Sequence, residues 1–232
     1  MFDRSAMYYD TIYSFKNYAD EASLVDERFR ELSRSGGRRL LDVGCGTGEH
    51  LRHLREKYDV EGLDIDDAML DIARRKQPDL RFHHADMTGF DLGSRFDAVI
   101  CLFSAVGYVR SSPRLRQAVA TMARHLTPGG VLMVEPWITP TAFLPGRLDS
   151  NLVDKPDMKI ARFSVTGVRD GLSIIDFHYL VTTLEQSLSF TEHHELGLFT
   201  HEEYLGAFEA CGLRPIHDPE GVSGRGLYLA VG

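Results

Sequence analysis

The chain has 232 residues, of which 43% are hydrophobic, 10% aromatic and 26% charged. This composition is typical of a globular protein with a sizeable core, and it excludes disordered, collagen-like and coiled-coil proteins. The 26 basic and 34 acidic residues give a formal charge of −8, which opposes the phosphate attraction on which nucleic-acid-binding proteins rely. We therefore expect one domain over residues 1–232 and no nucleic-acid partner.

Cysteine content and hydropathy predict the compartment. An odd number of cysteines without a C-x-x-C spacing indicates neither a disulfide framework nor a zinc site; they are Cys45, Cys101 and Cys211. The longest apolar runs, such as residues 98–103, are far shorter than a bilayer span. Asp3 and Asp10 stand where a signal peptide would be basic and then apolar. These features predict a cytoplasmic protein with no membrane partner.

The first predicted elements alternate between helix and strand. Apolar residues at helical spacing predict a helix over residues 20–34 that ends before Gly36-Gly37. Short apolar runs then alternate with amphipathic stretches, which is typical of βαβ units and a largely parallel sheet. The predicted strands of this half are residues 39–43, 60–65, 80–83, 96–102 and 131–134. Ser112 and Pro113 predict the N-cap and first residue of the helix before the last strand.

The pattern changes after Glu135. A proline-rich stretch of about twenty residues without clear periodicity predicts a lid or binding loop. Three further strands, over residues 158–166, 172–183 and 187–198, predict an antiparallel insert with a turn at Arg169-Asp-Gly171. Thr200 and Glu203 form a capping-box pattern for a helix through Ala210. The last two strands are predicted near residues 213–216 and 226–231.

A glycine-rich segment follows the first predicted strand. Gly44, Gly46 and Gly48 lie between this strand and a helix, where glycine permits close backbone approach and the helix offers free N–H groups. Asp64 ends the next strand, where a carboxylate can accept both hydroxyls of a ribose. A loop, a helix and a strand-end acid in one βαβ unit predict a nucleotide-type ligand, with a tight turn that binds nothing as the alternative.

The spacing of these glycines is G-x-G-x-G, and with Leu40-Leu-Asp-Val43 it resembles the first motif of the class I S-adenosyl-L-methionine (SAM) methyltransferases. The resemblance implies an α/β, doubly wound, mostly parallel seven-stranded sheet with an N-terminal helical cover and a small antiparallel β insert. It implies SAM as cofactor, S-adenosyl-L-homocysteine as its product, and no metal. Asp86 would hold the adenine amino group, and Ile65 and Met87 would flank the ring. The full predicted cofactor set is Tyr9, Tyr18, Gly44, Cys45, Gly46, Gly48, His50, Asp64, Ile65, Asp86, Met87 and Phe103.

Three other segments resemble a narrower family. Leu102-Phe-Ser-Ala-Val-Gly-Tyr108, Glu135-Pro-Trp137 and Ser223-Gly-Arg-Gly-Leu-Tyr228 are similar to the N-methyltransferases of nucleotide-linked aminodeoxysugars, of the desosamine and mycaminose type. This implies methylation of the amine of a dTDP-linked aminosugar in antibiotic biosynthesis, under an insert that covers the substrate. Tyr9 and Lys16-Asn-Tyr18 match family segments near the amino-acid end of SAM. Ile138, where the family often has a second tryptophan, leaves the particular sugar open.

Methyl transfer to nitrogen needs a neutral amine, so a residue or water must accept its proton. The candidates for this chemistry are His178, Tyr179, Tyr108 and Tyr18. His178 and Tyr179 are one residue out of phase in a strand, so only one of them can face the site. The predicted substrate-binding residues are Trp137, Ser223, Arg225 and His194, with Arg225 and Ser223 expected at the diphosphate. Core packing is the alternative for Trp137.

We expect four segments in the domain: a helical cover over residues 1–36, a SAM-binding half over 37–135, a lid loop and antiparallel insert over 136–199, and a final helix and strands over 200–232. The predicted partner is a small nucleotide-sugar, and a homodimer is an open alternative to a monomer. The nearest rival function is an O-methyltransferase that acts on a hydroxyl or carboxyl of another small metabolite. A non-catalytic SAM- or NAD-binding module is a rival from another class, and an NAD dehydrogenase is the least favoured.

Overall fold

The computed structural model describes residues 4–232 and contains two β-sheets flanked by helices. The helices are α1 (Tyr9–Ile12), α2 (Tyr18–Leu32), α3 (Glu49–Leu54), α4 (Asp67–Lys76), α5 (Ser112–Arg124) and α6 (His201–Glu209), with 3₁₀ turns at Ala6–Tyr8 and Ala105–Val109. The strands are β1 (Arg39–Val43), β2 (Asp59–Asp64), β3 (Arg81–His84), β4 (Phe96–Cys101), β5 (Leu126–Val134), β6 (Leu148–Asp154), β7 (Met158–Arg169), β8 (Leu172–Thr183), β9 (Ser187–Gly197), β10 (Ile216–Asp218) and β11 (Leu227–Val231).

Seven strands form the central sheet, in the order β10-β11-β5-β4-β1-β2-β3. Strands β1 to β5 pair in parallel, whereas β11 is antiparallel to both β5 and β10. The predicted doubly wound, mostly parallel seven-stranded sheet is therefore confirmed. The chain winds outward in opposite directions from the adjacent strands β1 and β4, and ligands of such sheets bind at the carboxyl ends of the strands at this switch point.

Helices cover both faces of the central sheet, as a parallel sheet requires. Every residue of β4 is buried. On one face Val99 and Cys101 pack with Leu115 of α5 and Phe208 of α6, and on the other face Ile100 belongs to a cluster with α2 and α3. This rigid core holds the carboxyl ends of β1, β2 and β4 in place.

The second sheet has four antiparallel strands in the order β6-β7-β8-β9. Its inner face packs on the N-terminal segment, where Tyr179 and Val181 contact a cluster that includes Tyr8 and Ile12. Strand β6 lies where the sequence predicts a loop, so that prediction is wrong for residues 148–154. Leu148 and Leu152 of this edge strand are 75% and 72% exposed. Since these leucines point outward, the sequence of β6 lacks the alternation that would predict a half-buried strand.

Several boundaries differ from their predictions by a few residues. Helix α2 begins at Tyr18, because the Asn17 side chain accepts a hydrogen bond from Asp20 N and forms the N-cap. Helix α5 has Ser111 as its N-cap in place of Ser112, and the strand expected at 213–216 lies at Ile216–Asp218. The capping box of α6 is confirmed.

None of the helices in residues 4–232 is long and apolar enough to cross a bilayer. The first three residues of the predicted helical cover lie outside the described residues.

Candidate active site

A cavity of about 680 Å³ lies at the carboxyl ends of β1, β2 and β4. Its other walls are formed by α1, by the loop after β5 and by the inner face of the four-stranded sheet. Most of the predicted site residues line it: Tyr9, Tyr18, Gly44, Cys45, Gly46, His50, Asp64, Ile65, Asp86, Met87, Phe103, Tyr108, Trp137, Tyr179 and Arg225. The structure thus brings together segments that are far apart in the sequence.

The glycine loop turns sharply from β1 into α3. Gly44, Gly46 and Gly48 have φ angles of 81°, 54° and 79°, a left-handed conformation that glycine adopts without a Cβ penalty. A Cβ built on Gly46 would meet no atom of residues 4–232 within 4 Å, so the backbone of Gly46 borders open cavity. A Cβ on Gly48 would lie 2.8 Å from Gln77 Nε2 in the protein interior. Gly48 does not line the cavity, and its lack of a Cβ lets the turn pack against Gln77.

Two strand-end carboxylates stand beside this loop. Asp64 accepts hydrogen bonds from Gly46 N at 2.8 Å and from Asp66 N at 2.9 Å, and burial raises its pKa. Asp86 accepts from Thr88 N at 2.8 Å and from Arg114 Nη2 at 2.7 Å. Burial alone would raise the pKa of Asp86, but these bonds lower it. Both acids are thus fixed at the cavity, where they can accept bonds from hydroxyl and amino groups of a nucleoside.

Asp42 is a functional candidate that the sequence analysis missed. Its side chain is buried and lines the cavity, and Oδ2 has no hydrogen-bond partner among residues 4–232. Burial raises its pKa to about 6. A buried polar atom without a partner is rare and needs an explanation. Its place at the cavity suits a ligand that brings a donor, such as an ammonium group.

A buried polar network lies beside the glycine loop. Glu21 accepts a hydrogen bond from Lys16 Nζ at 2.7 Å and lies 2.7 Å from His50 Nε2. Burial would raise the pKa of Glu21, yet the bonds with His50 and Lys16 lower it. The Lys16 ammonium is 3.7 Å from the centroid of the Phe103 ring, and the Tyr18 ring meets His50 edge-on at 5.0 Å. These contacts hold the side chains of Tyr18 and His50, which line the cavity, in place beside the glycine loop.

The loop after β4 carries backbone strain. Phe103 and Ser104 have φ angles of 50° and 61°, a conformation that costs a non-glycine residue about 1–3 kcal/mol. Fully buried Glu135 holds this loop, because it accepts a hydrogen bond from Phe103 N at 2.5 Å. Ser104 Oγ also donates to Pro136 O at 2.7 Å. The strained loop keeps Phe103 at the cavity wall.

Two guanidinium groups enter the other half of the cavity. Arg225 Nη1 donates to Ser104 Oγ at 3.2 Å, and its guanidinium lies 5.4 Å from the Trp137 ring centroid. Arg162 of β7, which the sequence analysis missed, donates from Nη1 to Tyr13 Oη at 3.0 Å. Within residues 4–232 neither guanidinium forms a salt bridge. Their charge is therefore available to an anionic ligand.

Three predicted site residues lie away from the cavity wall. His178 is exposed on the outer face of β8, whereas Tyr179 is buried and lines the cavity. The Ser223 hydroxyl donates to Glu135 and does not line the cavity. His194 is 1% exposed and lies behind Tyr108, whose hydroxyl is 2.8 Å from His194 Nδ1. None of these three side chains borders the cavity, and His194 reaches it only through Tyr108.

The strand order, the glycine loop and the strand-end acids together are those of the class I methyltransferase fold. A family model described as "Methyltransferase domain" matches residues 40–130. The chain is 40% identical over 218 residues to the dTDP-3-amino-3,6-dideoxy-alpha-D-glucopyranose N,N-dimethyltransferase of Streptomyces fradiae. The alignment covers 93% of this chain and 85% of the relative.

Solved structures agree with this relationship. The crystal structure of DesVI from Streptomyces venezuelae matches with a TM-score of 0.93 and 38% identity over 97% of each chain. SAM-bound CalS10, an amino pentose methyltransferase from Micromonospora echinaspora, matches with a TM-score of 0.87 and 40% identity over 96% of this chain and 95% of CalS10. The chain therefore belongs to the SAM-dependent methyltransferase family that contains the dTDP-aminodeoxysugar N,N-dimethyltransferases.

Proposed function

We propose that this protein is a SAM-dependent N-methyltransferase that acts on the amino group of a dTDP-linked aminodeoxysugar in antibiotic biosynthesis. The observation that carries the proposal is one cavity with two chemically different halves. One half has the glycine loop and the strand-end acids. The other half has aromatic rings and two guanidinium groups that form no salt bridge with any residue from 4 to 232. The S. fradiae relative is named for dimethylation of a dTDP-aminosugar, which agrees with both halves.

The residues of the first half fit SAM. The open space at Gly46 admits a ligand to the backbone, and the Asp42 Oδ2 acceptor suits an ammonium group such as that of the methionine moiety. Asp64 would accept the ribose hydroxyls and Asp86 the adenine amino group, with Ile65 and Met87 beside the ring. When bound, SAM supplies a methyl group activated by a sulfonium. The Phe103 ring and the Lys16–Glu21–His50 network would then enclose the reacting end.

The second half suits the nucleotide-sugar. Arg162 and Arg225 would bind the diphosphate, because guanidinium groups form paired, charge-assisted hydrogen bonds to phosphate oxygens. Trp137 and Tyr179 would wall the sugar. Burial raises the pKa of Tyr179 to about 12 and raises that of Tyr108, so both hydroxyls are neutral near pH 7 and act through hydrogen bonds. Methyl transfer then depends on positioning and on the exclusion of water.

We propose a homodimer and a cytoplasmic location as further parts of this function. The outer face of the four-stranded sheet exposes Leu148, Leu152, Phe163, Val165 and Leu180, and such a contiguous apolar patch on a globular protein marks an interaction surface. A second copy would cover this face through the same surface. Light scattering should give the mass of two chains for the native protein and of one chain for Phe163→Asp; a native monomer would contradict the dimer. The three free thiols suit a reducing compartment.

The experiment that tests the function is incubation with SAM and a panel of dTDP-linked 3-amino, 4-amino and hydroxy sugars, followed by mass spectrometry. We expect methylated product from an amino sugar only. Methylation of hydroxy sugars alone would support the O-methyltransferase alternative. Tight SAM binding without turnover on the whole panel would support a non-catalytic module. Calorimetric titration that shows binding of NAD and none of SAM would support a dehydrogenase.

A further inference from the structure

Behind the substrate half of the cavity, three polar side chains form a buried row. The Tyr108 hydroxyl lies 2.8 Å from His194 Nδ1, and His194 Nε2 lies 3.6 Å from Glu192 Oε2. Tyr108 lines the cavity, whereas His194 and Glu192 are 1% and 9% exposed. The row therefore begins at the substrate space and leads away from it.

Both inner members of the row are fixed in place. Strand β9 aims His194 and Glu192 to the same face, because they are two residues apart. The Phe177 ring meets His194 edge-on at 5.1 Å. Glu192 accepts hydrogen bonds from Ser5 Oγ at 2.6 Å and from Ser5 N at 3.0 Å. Although burial would raise the pKa of Glu192, the neighbouring His194 and the hydrogen bonds from Ser5 lower it, so Glu192 is an anion near pH 7.

We propose that Tyr108, His194 and Glu192 form a proton relay that deprotonates the substrate amine before each methyl transfer. This inference rests on the proposed aminosugar N-methyltransferase function. Tyr108 is the catalytic residue, because it borders the substrate space. His194 and Glu192 are positioning residues that act through it.

The steps balance in atoms and charge. An N–H bond of the bound ammonium breaks, and its proton bonds to the Tyr108 oxygen while the Tyr108 O–H proton passes to His194 Nδ1. The electron pair that stays on nitrogen forms the new N–C bond, and the electrons of the C–S bond leave on sulfur. The positive charge of the ammonium is now on the imidazolium, next to the Glu192 carboxylate. After the transfer His194 releases one proton to solvent.

A relay of this kind meets a need of repeated methylation. Each transfer to an amine produces an ammonium that has no lone pair, so a second transfer requires the loss of a proton in the closed site. Tyr108 passes a proton without becoming a phenolate, which agrees with the raised pKa that burial gives it. Besides Glu192, the described titratable groups that act on Tyr108 are Tyr13 of the N-terminal segment, Tyr179 of β8 and Asp64 at the end of β2. Burial raises the pKa of Tyr179 to about 12, so its hydroxyl is uncharged near neutral pH.

The test uses His194→Gln in the full-length protein with SAM and the aminosugar that the native protein methylates. Glutamine can accept a bond from Tyr108 but cannot take up a proton near neutral pH. We expect kcat at pH 7 to fall by about 10²-fold, the contribution typical of a positioned acid–base group, with KM for the sugar nearly unchanged. The rate should recover as the pH rises through the pKa of the substrate amine, and monomethylated product should accumulate.

A matched control is His193→Gln. His193 is the neighbouring residue on the outward face, where it lies 2.6 Å from Asp176 Oδ1, and this variant should keep the native rate, pH profile and product ratio. Tyr108→Phe removes only the hydroxyl and should shift the pH profile as His194→Gln does, so the relay stays testable if one variant fails to fold. If His194→Gln and Tyr108→Phe both keep the native pH profile and product ratio, the relay is overturned. A native protein that methylates no amino sugar would instead overturn the proposed function.

Discussion

The Arg162 side chain offers the sharpest test of how the cavity binds its substrate. Arg162 donates a hydrogen bond from Nη1 to Tyr13 Oη at 3.0 Å, and it forms no salt bridge within residues 4–232. Arg147 also lines the cavity, but it is paired with Asp149 at 2.8 Å. An anion can therefore gain more from Arg162 than from Arg147, because the charge of Arg147 is already balanced.

We expect Arg162→Met to weaken the binding of dTDP to the protein saturated with S-adenosyl-L-homocysteine. A hydrogen bond to a charged group contributes about 1.5–3 kcal/mol, so loss of one such bond should raise Kd by about 10- to 150-fold. Binding of S-adenosyl-L-homocysteine alone should stay unchanged, because Arg162 lies on β7 and its guanidinium packs on the Tyr13 and Phe177 rings. Isothermal titration calorimetry measures both constants.

The matched control is Arg147→Met, for which we expect less than about a threefold change in the Kd for dTDP, as for a surface ion pair. Melting temperatures of both variants verify the fold. The reasoning is refuted if Arg162→Met binds dTDP like the native protein, or if both variants lose the same affinity.

Three substitutions near the glycine loop test the first half of the cavity. Asp42→Asn should stabilise the ligand-free protein by about 3 kcal/mol at pH 7.5. The pKa of Asp42 is about 6 in the folded protein and about 4 in the unfolded chain, so the ionised carboxylate destabilises the fold increasingly between these pH values and by a constant amount above them. This gain in stability should vanish at pH 4, and the affinity for SAM should fall. If the variant and the native protein have the same melting temperature at pH 7.5 as well as at pH 4, the prediction is wrong. Gly46→Ala should fold with a loss of about 1–2 kcal/mol, because of its left-handed φ of 54°, yet lose SAM affinity; undiminished affinity in calorimetry would show that no ligand approaches this backbone. Asp64→Asn should weaken S-adenosyl-L-homocysteine by at least about tenfold, whereas Asp67→Asn on the exposed first turn of α4 should not, and equal affinities would argue against a ribose contact.

Local sequence patterns were enough to predict the central sheet and the residues that line the cavity at the glycine loop. The glycine loop, Asp64 and the buried strands lie within one stretch of chain, and their spacing carries the signal. Alternation along β8 also showed that His178 and Tyr179 point to opposite faces. It could not show which face is inside, because that depends on the packing of Tyr179 against Tyr8 and Ile12.

The substrate half depends on contacts that no local pattern records. Arg162 and Tyr13 are 149 residues apart in the sequence, and Tyr108 and His194 are 86 apart. Arg162 meets Tyr13 where the four-stranded sheet packs on the N-terminal segment, and His194 meets Tyr108 where this sheet packs on the 3₁₀ turn after β4. The edge strand β6 was missed for a related reason, since its exposed leucines do not show which face is buried.

The most direct test of the central claim is to locate the transferred methyl group. The protein is incubated with SAM that is isotopically labelled in its methyl carbon and with a dTDP-linked amino sugar, and the product is analysed by NMR. We expect the label in one or two methyl groups bonded to the sugar nitrogen, with S-adenosyl-L-homocysteine formed in matching amount. A label bonded to oxygen, or no transfer to any amino sugar, would contradict the claim.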